Sequence, residues 1–108
     1  KSNYKNQIKI HIGNALKTLE TFSKNSFDMI FIDADKINYI KYYKMAMILL
    51  KSKGIIILDN MLWSGDVIKP TSKESETLNK LNNIITEDKR NMNTLLPIRD
   101  GLMICIKK

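Results

Sequence analysis

Phe27-Asp28-Met29-Ile30-Phe31-Ile32-Asp33-Ala34-Asp35-Lys36 is the most informative segment of the chain. From Phe27 to Ile32 the run is apolar on both faces apart from Asp28, and it is too short for a helix. It therefore reads as a parallel strand covered on both sides, stopping at Asp33. From Tyr39 to Lys51 the residues Ile40, Tyr43, Met47 and Leu50 return at helical spacing, and Gly54 follows closely enough to help end the helix. Ile55-Ile56-Ile57-Leu58 is a second β-branched run that ends at Asp59-Asn60. Strand, helix and strand in this order predict an α/β fold with a parallel pair joined by a right-handed crossover.

Towards the N-terminus, Ile8, Ile10 and Ile12 alternate with Lys9 and His11, the period of a strand with one buried face, which places His11 outward. Asn14 is a candidate cap for a helix carrying Leu16, Leu19 and Phe22 on one side. Towards the C-terminus, a loop from Met61 to Ser72 contains Gly65 and Pro70, and Thr71 with Glu74 has the form of a capping box. The helix that follows, through about Lys89, turns Leu78, Leu81 and Ile85 inward. Thr94 to Ile98, the turn-like Asp100-Gly101 and Leu102 to Ile106 predict an antiparallel hairpin. Pro97 cannot donate to a ladder, so the first hairpin strand is expected at a sheet edge.

A chain of 108 residues allows one domain and is short for an enzyme that buries both a cofactor and a substrate. No apolar run reaches the roughly 18 to 20 residues of a membrane span. The formal charge of +7 comes almost wholly from lysines interspersed with acids, and Arg90 and Arg99 are the only arginines, which favours a solvated surface over a nucleic-acid footprint. The lone Cys105 lies in an apolar run, where a buried strand position and a reducing cytoplasmic compartment are expected. The absence of an initiator methionine suggests a fragment.

Ligand sites of open α/β sheets lie beyond the carboxyl ends of the strands, where this chain carries Asp33, Asp35 and Lys36 after one strand and Asp59 and Asn60 after the next. Two carboxylates and an amide oxygen are hard ligands suited to Mg²⁺ or Ca²⁺. Either cluster alone reads more readily as turn formers or helix caps than as ligands, and the pairing of the two is what shifts the balance towards a cation site. A lysine beside a cation is favoured in its neutral form, as a general base requires, with a plain salt bridge as the equal alternative for Lys36.

Phe27 to Lys36, with Asn38-Tyr39 and Tyr42, closely resembles the segment after motif I of the cation-dependent caffeoyl-CoA and catechol O-methyltransferase family. Leu58-Asp59-Asn60-Met61-Leu62-Trp63-Ser64-Gly65 resembles that family's second metal motif. Gly13-Asn14-Ala15 and Leu95-Leu96-Pro97-Ile98-Arg99-Asp100-Gly101-Leu102 are similar to it as well, in the same order and at similar spacing.

The resemblance implies the C-terminal half of a Rossmann-like class I methyltransferase sheet, parallel strands followed by an antiparallel hairpin, with full order 3-2-1-4-5-7-6. It covers residues 1–108 as a partial domain, without the glycine-rich loop and ribose-binding acid of the family's other half. It further implies that Asp33, Asp59 and Asn60 hold Mg²⁺ (or Ca²⁺ or Mn²⁺) and that Lys36 is the catalytic lysine. Asp35, Asp33 and Ala15 would contact S-adenosylmethionine, and Trp63 and Ser64 would line the acceptor pocket. The implied reaction is methyl transfer to a hydroxyl of a catechol-like small molecule, by a cytoplasmic protein that is a homodimer at full length. Some bacterial relatives act on 5-hydroxyuridine in tRNA, which is the second acceptor class. A truncated remnant without catalysis is the alternative from another class. A phosphatase reading of Asp33-Ala34-Asp35, of the haloacid dehalogenase type, expects a hydroxyl residue soon after the second aspartate and a later acidic pair for magnesium, where this chain offers Lys36 and Asp59-Asn60.

Overall fold

The computed structural model describes residues 4–108. Its elements in chain order are α1 (Ala15–Leu19), β1 (Phe27–Ile32), α2 (Tyr39–Leu49), β2 (Leu50–Leu58), α3 (Lys73–Glu87), β3 (Asn91–Leu96) and β4 (Leu102–Lys107). The sheet runs β1-β2-β4-β3. β1 and β2 are parallel, with Ile32 opposite Leu58. β4 enters antiparallel beside β2, pairing Leu58 with Met103, and the hairpin places β3 at the far edge. This order is the 4-5-7-6 portion of the sheet that the resemblance implies.

α2 and α3 cover one face of the sheet. Ile56, Leu58, Met103 and Cys105 point into that layer, against Tyr43, Met47, Leu78, Leu81 and Ile85, all of them buried. The three- and four-residue spacing that turned Leu78, Leu81 and Ile85 inward is thereby confirmed. Cys105 is buried and free, and burial pushes its thiol up to about 12. No helix among the described residues is long and apolar enough to cross a membrane.

Several expectations are corrected. Ile8 to Ile12 forms no strand, and Ile10 and Ile12 are almost fully exposed. Period-two alternation permits a strand but supplies no neighbour to complete the ladder, and none of the described strands pairs with it. Asn14 caps α1 as expected, its Oδ1 accepting from Leu16 N at 2.9 Å, but the helix stops at Leu19 and Phe22 lies in the turn beyond. There Phe22 meets His11 edge-on at 5.5 Å.

β1 has its predicted bounds but is covered on one face only, with Met29 58 % and Phe31 54 % exposed. α2 ends at Leu49, before Lys51, and β2 begins at Leu50. The last carbonyls of α2 are closed by Asn25 N on Ile48 O (3.1 Å), Ser26 N on Leu49 O (2.8 Å) and Lys107 Nζ on Met47 O (2.7 Å). With its end satisfied from outside, the helix does not need Gly54, which lies within β2 where an added Cβ would come 2.6 Å from Leu50 Cγ. The capping box of α3 is formed by Ser72 and Ser75, one residue beyond the expected Thr71 and Glu74. Thr71 bonds Asp66 instead, with Oγ1 2.9 Å from Oδ1. α3 stops at Glu87, short of Lys89. β3 starts at Asn91 and ends before Pro97, so the edge position is as expected while the proline lies just outside the strand.

Far from the strand ends, Asp88 ties α2, α3 and β3 together. It accepts from Tyr43 Oη (2.7 Å) and from Arg90 Nε (2.9 Å) and a terminal nitrogen (2.7 Å), while Asn91 Nδ2 donates to Tyr43 Oη (2.9 Å). The Arg90 guanidinium holds the Asp88 carboxyl well below the usual carboxylate range. A folded pKa below the unfolded value near ~3.9 makes this a contribution present above that pH and lost as pH falls through it towards the folded value. Asp88→Asn is expected to cost on the order of 1–3 kcal/mol at neutral pH and to flatten the fall in stability below about pH 4. Urea unfolding of both proteins across that range checks this, and parallel acid slopes would refute it.

Candidate active site at the strand ends

Because β1 and β2 run parallel in register, they deliver their terminal residues side by side. Asp59 N donates to Ile32 O at 3.0 Å, so Asp33 and Asp59 leave adjacent strands at one level. Between them stands the fully buried Tyr39, its hydroxyl 3.1 Å from Ile32 O and 2.9 Å from Asp59 O. Burial pushes the Tyr39 phenol up from its ordinary value, which keeps it a neutral donor.

Lys36 closes this arrangement. It is only 8 % exposed, and Nζ donates to Tyr39 Oη (2.8 Å), Ala34 O (2.9 Å) and Asp33 Oδ1 (3.2 Å). Three ammonium protons thus meet three acceptors, and the charge also lies 4.5 Å from the Tyr39 ring centroid and 5.9 Å from that of Trp63. A buried lysine is rare without such partners. Asp33, in contrast, is 52 % exposed and presents its carboxylate to solvent beside the amine.

Asp35 faces the other way. Its carboxylate accepts from the Tyr42 hydroxyl and from Asn38 Nδ2. The Tyr42 hydrogen bond is the main cause that lowers the Asp35 carboxyl, and the same bond helps push Tyr42 up to about 12. Two cavities meet at this residue. One, of about 460 Å³, is lined by Ala15, Asp35, Asn38 and Tyr42 among others. The second, of about 550 Å³, is lined by Asp35, Lys36, Asn60, Trp63 and Glu74 among others.

The residues expected at the site therefore fall into two groups. Ala15 and Asp35 share one cavity. Lys36, Asn60 and Trp63 share the other, with Asp33 and Asp59 attached to it through Lys36 and Tyr39. Ser64 lines neither of these cavities; it is exposed, and its Oγ donates to Asp100 Oδ1 at 3.2 Å. Among the described residues no group of three or more His, Cys, Asp or Glu is placed to hold a metal ion. The expected donor set is two carboxylates and an amide, and its oxygens are of the type that hard divalent cations take. Asn60 sits at φ 63°, with its own N donating to Asp59 Oδ1 at 2.7 Å, so the two neighbours are locked together.

Sequence reasoning missed the parts played by Tyr39, Glu74 and Asp100. The helical period and the family-like segment both include Tyr39 but give its hydroxyl no task, although a tyrosine destined for burial must find a partner for that group. Asp100 was read as a turn former, and nothing local reveals its contact with a loop 40 residues earlier.

The strand order, strand directions and clustered strand-end residues define the C-terminal half of a class I methyltransferase fold. A family model described as O-methyltransferase matches residues 1–108, and the chain belongs to that family. It is 37 % identical over 114 residues to "Probable caffeoyl-CoA O-methyltransferase 1" of Dictyostelium discoideum, covering 99 % of this chain and 50 % of that protein. It is 34 % identical to the caffeoyl-CoA O-methyltransferase of Medicago sativa, covering 97 % and 48 %. Among solved structures, the O-methyltransferase from Bacillus cereus in complex with SAH superposes with a TM-score of 0.77 at 31 % identity, over 87 % of this chain and 46 % of that one. The chain spans about half the length of the curated relatives it matches.

Proposed function

We propose that these 108 residues are the acceptor- and cation-binding half of an S-adenosylmethionine-dependent O-methyltransferase that methylates one hydroxyl of a catechol-like small molecule. The observation that carries this reading is the buried Lys36, fixed by Asp33, Ala34 and Tyr39 at the wall of a cavity that also holds Asn60 and Trp63. The neutral amine would be favoured beside a bound cation, and in that form Lys36 could take a proton from a hydroxyl in that cavity, with Tyr39 and Asp33 holding its orientation. Trp63 offers a flat apolar wall for an aromatic acceptor.

Ala15 and Asp35 line the adjoining cavity, which suits the cofactor; the Bacillus cereus relative was solved with SAH. S-adenosylmethionine, when bound, would supply the methyl group, the acceptor oxygen taking it in place of the sulfur, which leaves as S-adenosylhomocysteine. Asp33, Asp59 and Asn60 would hold the divalent cation, which when bound makes an acceptor hydroxyl more acidic. Asp35 lines both cavities, so it orients cofactor and acceptor towards each other, the proximity that accelerates a two-substrate transfer.

The test is a methyl-transfer assay on a full-length polypeptide carrying this half, with a catechol as acceptor. Turnover is expected with Mg²⁺, is expected to vanish with EDTA and is expected to return on adding the ion back. Turnover indifferent to EDTA would remove the cation from the reading, and methylation of tRNA with none of catechols would reassign the acceptor.

A further inference from the structure

The turn joining β3 to β4 lies against the loop that follows β2, and the contact is specific. Leu62 N donates to Asp100 O at 2.6 Å and Met61 N to Gly101 O at 3.1 Å. The Asp100 carboxylate accepts from Ser64 Oγ (Oδ1, 3.2 Å) and from Asn60 Nδ2 (Oδ2, 3.4 Å). The two segments approach so closely at Gly101 (φ +87°) that an added Cβ would stand 2.6 Å from Leu62 Cγ. Backbone strain gathers here as well. Of the six non-glycine residues with positive φ among the described residues, four (Asn60, Trp63, Ser64 and Arg99) lie in these two segments, while Asn25 and Lys53 lie elsewhere. Such conformations persist where the surroundings hold them, and the surroundings in this case are the β3–β4 turn.

We propose that Asp100 is the positioning residue of the acceptor loop. Through Asn60 and Ser64 it fixes the segment that carries Trp63, and it sets which way the Asn60 amide faces. An ionised carboxylate only accepts hydrogen bonds, so it draws the NH₂ of Asn60 towards itself and turns the amide oxygen away, free for a cation. This role rests on the cation reading of the site for its second part, while its first part concerns the loop alone. It is a task for a residue that touches no reacting atom, like the outer partners that orient metal ligands elsewhere.

Trp63 is the sole tryptophan, so its fluorescence reports the loop directly. The experiment compares the chain with Asp100→Ala and Asp100→Asn by acrylamide quenching of Trp63 without metal and by Mn²⁺ titration followed through the free-ion EPR signal. Asp100→Ala is expected to raise the quenching constant and to weaken Mn²⁺ binding by about tenfold or more. Asp100→Asn, which keeps one acceptor oxygen, is expected to fall between. If Asp100→Ala does not fold, Asp100→Asn and Ser64→Ala carry the same comparison, because each cuts one tie. Quenching and Mn²⁺ affinity both unchanged would overturn the proposal. If the unaltered chain takes up no Mn²⁺, the cation reading fails and with it the part of this proposal that concerns Asn60, while the quenching result still decides the part that concerns the loop.

Discussion

Lys36→Ala, in a methyltransferase carrying this half, is expected to lower kcat by about 10²- to 10⁴-fold, the range lost with a general base. Cofactor affinity is expected to change far less. The three acceptors of Nζ are Asp33, Ala34 and Tyr39, whereas the cavity assigned to the cofactor is walled by Ala15, Asp35 and Tyr42. The substitution should also leave the fold intact. Tyr39 Oη keeps Ile32 O and Asp59 O within reach, and the half-exposed Asp33 passes to water, so no buried charge is orphaned. Steady-state kinetics beside calorimetric titration with S-adenosylmethionine separates the two quantities. Equal losses in both would make Lys36 a structural or cofactor contact.

That expectation was available from sequence only in part. The order of the two parallel strands, the intervening helix and the acidic residues at the strand ends were legible because each rests on a local pattern: a short apolar run, a helical period, a polar stop. What could not be read were relations between segments. Nothing near Asp100 signals that its carboxylate reaches Asn60 and Ser64, and nothing near Tyr39 signals that its hydroxyl bridges two strand ends. The errors in element bounds have the same origin. α2 stops at Leu49 because Asn25, Ser26 and Lys107 close its last carbonyls, and two of those partners precede β1 while the third lies in β4. Gly54 looked like the terminator only because it was the nearest glycine.

The same distinction governs burial. Phe27 to Ile32 reads as covered on both faces because its residues are apolar on both, yet an apolar side chain records what a surface should meet and cannot show that the covering is there. Met29 and Phe31 lie across from Ile55 and Ile57, which lie across from Ile106 and Ile104, and Met92 pairs with Ile106. These residues form an apolar band over the face of the sheet opposite α2 and α3. Met29, Phe31 and Met92 are all more than half exposed. Ile8 to Ile12 adds a further unpaired apolar segment.

The 108-residue chain by itself is therefore expected to self-associate, to bind S-adenosylmethionine only on the order of millimolar strength or weaker, and to methylate nothing, even with Mg²⁺ present. A contiguous band of this kind seldom stays bare in a soluble protein, and β1 adds an edge whose outer backbone groups are open to another strand. The chain spans about half of its curated relatives, so the cavity beside Ala15 and Asp35 holds only part of the surface such a cofactor needs to offset its lost freedom. Asp35, moreover, already has Tyr42 and Asn38 on its carboxylate, and a new contact must compete with them. Sedimentation of the purified chain measures its mass, and calorimetric titration with the cofactor measures the affinity. Association should recede when Met29 and Phe31 are both replaced by serine, since the band is then interrupted at the β1 edge, where both are more than half exposed. A monodisperse monomer that binds the cofactor at micromolar strength would show that the open face and the partial cavity are each sufficient as they stand.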